Sequence, residues 1–239
     1  MIFNGRDLLA FCGAGVSINK EIPPASVGRA ITSIGGANGH ILGHAEDAPR
    51  TYTAKVNLHG ATMADAWALK LKLAEWAYTT TLADLIPTHD QARKYRAIVQ
   101  SIGNPEFKWG ACTIDVVFFI PDARMIEVYG TTASGTGSAS FFKTGTAEPI
   151  LSVSFTPTAD LTDPAITLNG STVFKVNGNV LTGVPCLVDF EKKTLRKNGV
   201  IAQDEINYML TNWHPDYEYS NTIAVADASV SIEVTQRWL

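Results

Sequence analysis

Three Asn-Gly pairs, at 169–170, 177–178 and 198–199, punctuate the second half of the chain. Asn-Gly is the strongest short hairpin signal, because both residues tolerate the positive φ that a two-residue turn requires. Ile166 and Leu168 lead into the first pair and Val173 to Val176 into the second. Leu151, Val153 and Phe155 alternate with polar residues, as do Val230, Ile232 and Val234. Period-two alternation marks half-buried strands. Short strands joined by tight turns over about a hundred residues read as a β-sandwich or jelly roll. The residues around the three pairs do not recur, so a solenoid is excluded.

The first half is also strand-rich. Tyr52, Ala54, Val56 and Leu58 alternate with Thr51, Thr53, Lys55 and Asn57. Cys112 to Ile120 is apolar on both faces and ends at Pro121, which suits a central strand. Tyr95 to Ile102 is a weaker strand candidate. One segment has a different period. Met63, Trp67, Leu71 and Ala74, together with Leu69, Leu73 and Trp76, predict a helix over 63–78 with a wide buried face. Thr62 and Asp65 have the spacing of a capping box, and Thr79-Thr80-Thr81 ends the run. Gly130 to Ser140 is Gly, Thr, Ser and Ala without charge, the composition of a connection. The expected division is therefore 1–130 and 139–239.

Composition bounds the function classes. The chain has 239 residues, 46% hydrophobic and 18% charged, enough for a real core and unlike a disordered chain. A net charge of −4 lacks the basic footprint of a nucleic-acid binder. Lys192 to Lys197 reads as the solvated face of a hairpin. The longest strongly apolar run, Val116 to Ile120, is far below the ~18 residues of a membrane helix. The first residues lack the pattern of a signal peptide, so a soluble chain made without export is expected. Cys12, Cys112 and Cys186 are isolated, with no zinc spacing, and read as small buried side chains.

Few residues point to chemistry. His40 and His44 are four apart, but the glycines around them argue against a shared helix face and against metal ligation. His89-Asp90 lacks a signalled nucleophile, and Asp90 reads as a turn residue. Asp160 and Asp163 are too few for a calcium site and read as an Asp-Pro turn. No residue pattern implies a cofactor, and none marks the carboxylate pair of a glycosidase. Trp213, His214, Tyr217 and Tyr219 are different, because an aromatic loop on a β-sandwich either closes the core or stacks on sugars and partner surfaces.

The opening Phe3-Asn4-Gly5-Arg6-Asp7-Leu8 resembles that of the distal tail proteins of siphophages. The order that follows is similar too: a Gly-rich loop at Ile34–Ile41, an alternating strand at 51–58, a helix with Trp near its end, and a strand before Pro121-Asp122. In the second half, Val188-Asp189-Phe190, Asn198-Gly199, Asn221-Thr222-Ile223 and Arg237-Trp238 fall in matching places. The resemblance implies a mainly β chain with two domains. The first is a sandwich-like belt domain with one α-helix, and the second is a galectin-like sandwich. It implies a structural, non-enzymatic virion protein at the distal end of the tail, made in the host cytoplasm. It further implies a homohexameric ring that joins the tail tube protein to the tip hub protein and meets the tape measure protein. DNA would pass through its channel without specific binding, and nothing would insert into a membrane. The classical galectin sugar signature is not recognisable, so an architectural second domain is expected. A carbohydrate-binding module for host attachment is the alternative. A closed ring needs two different complementary patches on each subunit. Ile34, Asn38 and Ile41 are expected in one, and the helix face with Trp67 and Trp76 in the other.

Overall fold

The computed structural model describes residues 1–24, 31–33, 40–42, 49–104, 106–108 and 111–238, with backbone alone at 31–33, 40–42, 106–108 and 111. Among the described residues the chain is mainly β, with antiparallel sheets and two α-helices. It forms two compact units, Met1–Val128 and Tyr129–Trp238.

The first unit is built on an antiparallel sheet in the order Arg6–Asp7, Ile2–Phe3, Ala83–Ile86, Arg93–Ile102, Ala111–Ile120, Arg50–His59, Val16–Ile22. Its centre is the unbroken pairing of Ala111–Ile120 with Arg50–His59, from Ala111 opposite His59 to Ile120 opposite Arg50. Tyr52, Ala54, Val56 and Leu58 face one side and are fully buried, as their alternation predicts. Ile114, Val116, Phe118 and Ile120 join them, while Val117 and Phe119 are half-buried on the opposite face. That second, partly covered face is why the strand reads as apolar throughout.

A helix over Met63–Ala77 covers this sheet. Thr62 Oγ1 accepts from the Asp65 N–H and the Asp65 carboxylate accepts from the Thr62 N–H, a complete capping box. At about 100° per residue the apolar positions fall into two arcs. Ala66, Leu73, Trp76 and Ala77 form the buried arc. Met63, Trp67 and Leu71 form the other and stay exposed, so the buried face is narrower than predicted. A second helix, Leu8–Cys12, was not expected; it is too short for periodicity to show. Asp7 caps it by accepting from the Leu9 and Ala10 N–H groups.

The second unit is a sandwich closed by one long strand. Its sheet path runs Ser171–Lys175, Ala165–Leu168, Ser220–Thr235, Ile150–Pro157, Cys186–Asp189, Thr194–Lys197, Val200–Ile201, and Thr131–Phe142 also pairs with Ser220–Thr235. The first part of Ser220–Thr235 meets Ala165–Leu168 at Ile223 and Ala224. The later part meets Ile150–Pro157 from Ala228 onward. Between them the inward positions change from Asn221, Ile223 and Val225 to Ala228, Val230, Ile232 and Val234. Asp227 has φ 50 at this change of phase. A strand that bends in this way serves both layers of a sandwich.

Two of the three Asn-Gly pairs are hairpin turns. Asn169 and Gly170 have φ 51 and 85, and Asn198 and Gly199 have φ 48 and 79. They join Ala165–Leu168 to Ser171–Lys175 and Thr194–Lys197 to Val200–Ile201. Asn177-Gly178 is not a hairpin turn. Asn177 donates its N–H to Glu205 O and Gly178 donates to Asp163 Oδ1, and the strand that follows pairs with Leu161–Thr162. Nor is 130–140 a connection. It lies almost entirely in the strand Thr131–Phe142, with Ala139 and Phe141 turned into the core and small hydroxyl residues turned out.

Candidate assembly and binding surfaces

In the first unit, the chain start and the helix end lock together. Asn4 and Gly5, at φ 51 and 72, turn the Ile2–Phe3 strand back onto Arg6–Asp7. Arg6 then donates to Glu75 O and Tyr78 O, each at 3.3 Å, at the helix end where Glu75 O also accepts from the Tyr78 N–H. The Trp76 indole N–H donates to Arg6 O at 2.9 Å. Trp76 is completely buried against Phe3 and Phe118. It is therefore a core residue, and the expectation of Trp76 in an interface is corrected.

Trp67 lies on the opposite arc. It is 45% exposed, with Lys70 Nζ 4.8 Å from its ring centre. Met63 at 62% and Leu71 at 69% flank it. Exposed large apolar residues that share one helix face mark an interaction surface. Ile34 and Asn38 lie outside the described residues. Ile41 lies in a strand, His40–Leu42, that pairs with Ile31–Ser33. Among the described residues that hairpin pairs with no other strand.

A carboxylate clasp ties the strand Val16–Ile22 to the residues between Ala83–Ile86 and Arg93–Ile102. Glu21 accepts from the Thr88 N–H, the Thr88 hydroxyl at 3.1 Å, and meets His89 Nδ1 at 2.9 Å. Burial pushes the Glu21 carboxyl up, but the bonds from His89 and Thr88 outweigh it and hold the group below its ordinary range. Nothing in the local sequence signals this contact, since Glu21 and His89 are 68 residues apart.

In the second unit the aromatic loop divides. Trp213 is half-buried and packs on Phe174 and Phe190 at 5.4 and 5.8 Å between ring centres. Tyr217 packs on Phe141, and burial, with the nearby Glu148, drives its hydroxyl far above its ordinary pKa. These two residues close the sandwich. His214 is exposed, with Nδ1 3.2 Å from the Glu148 carboxylate. Tyr219 is 72% exposed and pairs with Phe142, itself 61% exposed. Sequence reasoning missed Phe142. The available signal was the Phe141-Phe142 doublet, because neighbours on a strand face opposite ways.

The remaining candidates are local. Asp160 accepts from the Thr182 N–H and hydroxyl, and Asp163 from the Gly178 N–H, so the two aspartates serve separate turns. Asp90 Oδ1 accepts from the Ala92 N–H, a turn contact. Burial raises the pKa of all three cysteines, Cys186 to about 11, the opposite of what a reactive thiol requires. Among the described residues no cluster of His, Cys, Asp or Glu has the grouping of a metal site.

No family model and no curated protein sequence matches the chain. Solved structures do. The Dit protein (gp 19.1) of SPP1, described as a paradigm of the hub adsorption apparatus in Gram-positive infecting phages, superposes with a TM-score of 0.81 at 14% identity, over 100% of this chain and 98% of that one. The phage P2 baseplate in its activated conformation with Ca matches with a TM-score of 0.47 at 10% identity, over 95% and 92%. The chain thus has, across its whole length, the fold of the SPP1 Dit protein.

Proposed function

We propose that the chain is a structural component of a phage tail tip. It assembles as a ring of six copies that joins the tail tube to the tip hub, meets the tape measure protein, and leaves a channel through which DNA passes. The observation that carries this reading is the full-length fold likeness to the SPP1 Dit protein. Two features of the first unit support it. The Met63–Trp67–Leu71 face is exposed apolar surface. The Ile31–Ser33/His40–Leu42 hairpin has no third strand among the described residues, and an isolated two-stranded hairpin is marginal in water. Different patches on one unit are what a heterologous, ring-closing contact requires. The 34–41 segment supplies one patch and the Trp67 face the other. The net charge of −4 suits a channel that does not grip DNA.

Light scattering behind size exclusion, over a range of concentrations, tests the ring. The expected particle has six times the chain mass of 25.8 kDa. The double substitution Met63→Glu with Leu71→Glu should abolish it while leaving the thermal melt unchanged, because both side chains are exposed. A wild-type chain that stays monomeric at every concentration removes the ring, and a variant that still forms it removes this interface.

A further inference from the structure

Phe142 and Tyr219 sit side by side at one end of the ribbon formed by Thr131–Phe142 and Ser220–Thr235, where Lys143 donates its N–H to Tyr219 O at 2.9 Å. Their ring centres are 5.5 Å apart with the planes tilted by 41°. The main chain thus holds two large aromatic rings at the surface, against the hydrophobic cost of leaving them there. The next outward pair along the ribbon is Ser140 and Thr222, whose hydroxyl oxygens are 2.9 Å apart. Beyond them Ser138 lies opposite Ala224. There a cavity of about 480 Å³ opens, lined by Gly137, Ala224 and Ala226 of the ribbon, Thr167 of the neighbouring strand, and Leu161 and Pro164. Small-ligand sites span roughly 300–1,000 Å³.

The outward positions of this stretch, Thr136, Ser138, Ser140 and Phe142 on one strand and Ser220, Thr222, Ala224 and Ala226 on the other, carry no charge. Asp163 borders the cavity, but its carboxylate is committed to the Gly178 N–H at 2.6 Å and to Lys175 at 3.8 Å. Along these outward positions a charged ligand would find no counter-charge. A protein hot spot places its aromatic anchors within a rim that excludes water, whereas these rings border hydroxyl groups.

We propose that this surface binds an uncharged oligosaccharide. The apolar face of one sugar ring stacks on Tyr219 and Phe142. Hydroxyls of the next exchange hydrogen bonds with Ser140 and Thr222, each of which donates and accepts. The chain then continues toward the cavity. The proposal does not depend on the ring.

Affinity gel electrophoresis with dextran, mannan and a soluble β-glucan as neutral probes, and dextran sulfate as the acidic control, tests it. The wild-type chain should be retarded by at least one neutral polymer and not by dextran sulfate. Tyr219→Ala and Phe142→Ala should each lower the affinity tenfold or more without moving the thermal melt. Tyr219→Phe, which keeps the ring, should bind like wild type. Retardation by none of the neutral polymers overturns the proposal and leaves the aromatic pair to a protein partner. Retardation that survives Tyr219→Ala, or that occurs with dextran sulfate alone, overturns it as well.

Discussion

The first unit covers its sheet with a helix, and the second covers itself with a strand shared by two layers. The outward surfaces differ as a result. The helix buries Ala66, Leu73, Trp76 and Ala77, and its other apolar arc, Met63, Trp67 and Leu71, remains exposed. The shared strand alternates, so its outward positions Thr222, Ser229 and Ser231 are small and polar. A helix can carry two apolar faces in one sequence, while a half-buried strand carries one. Surplus apolar surface on a helix-covered unit suits an assembly contact, which is why the proposed ring contact falls in the first unit.

The largest test of this contrast is Trp76→Ala. It leaves a cavity beside Phe3 and Phe118, orphans Arg6 O, and should lower stability by about 4 kcal/mol in urea unfolding. Trp213→Ala, at a half-buried ring, should cost about 2 kcal/mol. Equal losses would mean that the helix is no more critical to closure than the aromatic loop. Next comes Gly145→Ala, whose new Cβ would stand 2.1 Å from Arg237 O, a contact between backbones that no rotamer relieves. A loss of about 2 kcal/mol is expected, with faster hydrogen exchange confined to Tyr129–Trp238. Exchange that quickens equally in Met1–Val128 would show that the two units do not respond separately.

The smallest expected effect is at Glu21. Its folded pKa is depressed, so its stabilisation is fully present above the ordinary value of 4.5 and is lost as pH falls through the folded value. Glu21→Gln should therefore cost about 1–2 kcal/mol at pH 7, with the gap to wild type closing in acid. Chemical denaturation at a series of pH values reads this directly. A gap that persists below the folded pKa would assign the effect to shape instead of charge.

Much of the frame was legible because it is local. The Thr62–Asp65 cap, the Tyr52–Leu58 alternation and the turns at Asn169-Gly170 and Asn198-Gly199 each depend on residues a few positions apart. The misreadings are non-local. Asn177-Gly178 has hairpin chemistry, but its N–H groups are taken by Glu205 and Asp163. The Thr131–Phe142 strand looks like a linker because its outward half is Ser, Thr and Gly, and only pairing with Ser220–Thr235 makes it a strand. Both helix arcs are apolar, so composition could not say which one the sheet takes, and Trp76 was assigned with Trp67. Of the aromatic loop, the sequence allowed both core closure and surface display, and the structure divides them between Trp213 with Tyr217 and Tyr219 with His214.

The shared strand also sets a timetable. Thr131–Phe142, Ile150–Pro157 and Ala165–Leu168 all pair with Ser220–Thr235, which is made after every one of them. Until that stretch has left the ribosome, Ile150–Pro157 and Ala165–Leu168 have one edge paired, with Cys186–Asp189 and Ser171–Lys175, and the other open, while Thr131–Phe142 has no strand partner among the described residues. Long-range pairing of this kind is slow and exposes aggregation-prone edges. The small, Gly-interrupted composition of Thr131–Phe142, short of the bulky β-branched residues that drive strand stacking, is suited to that wait.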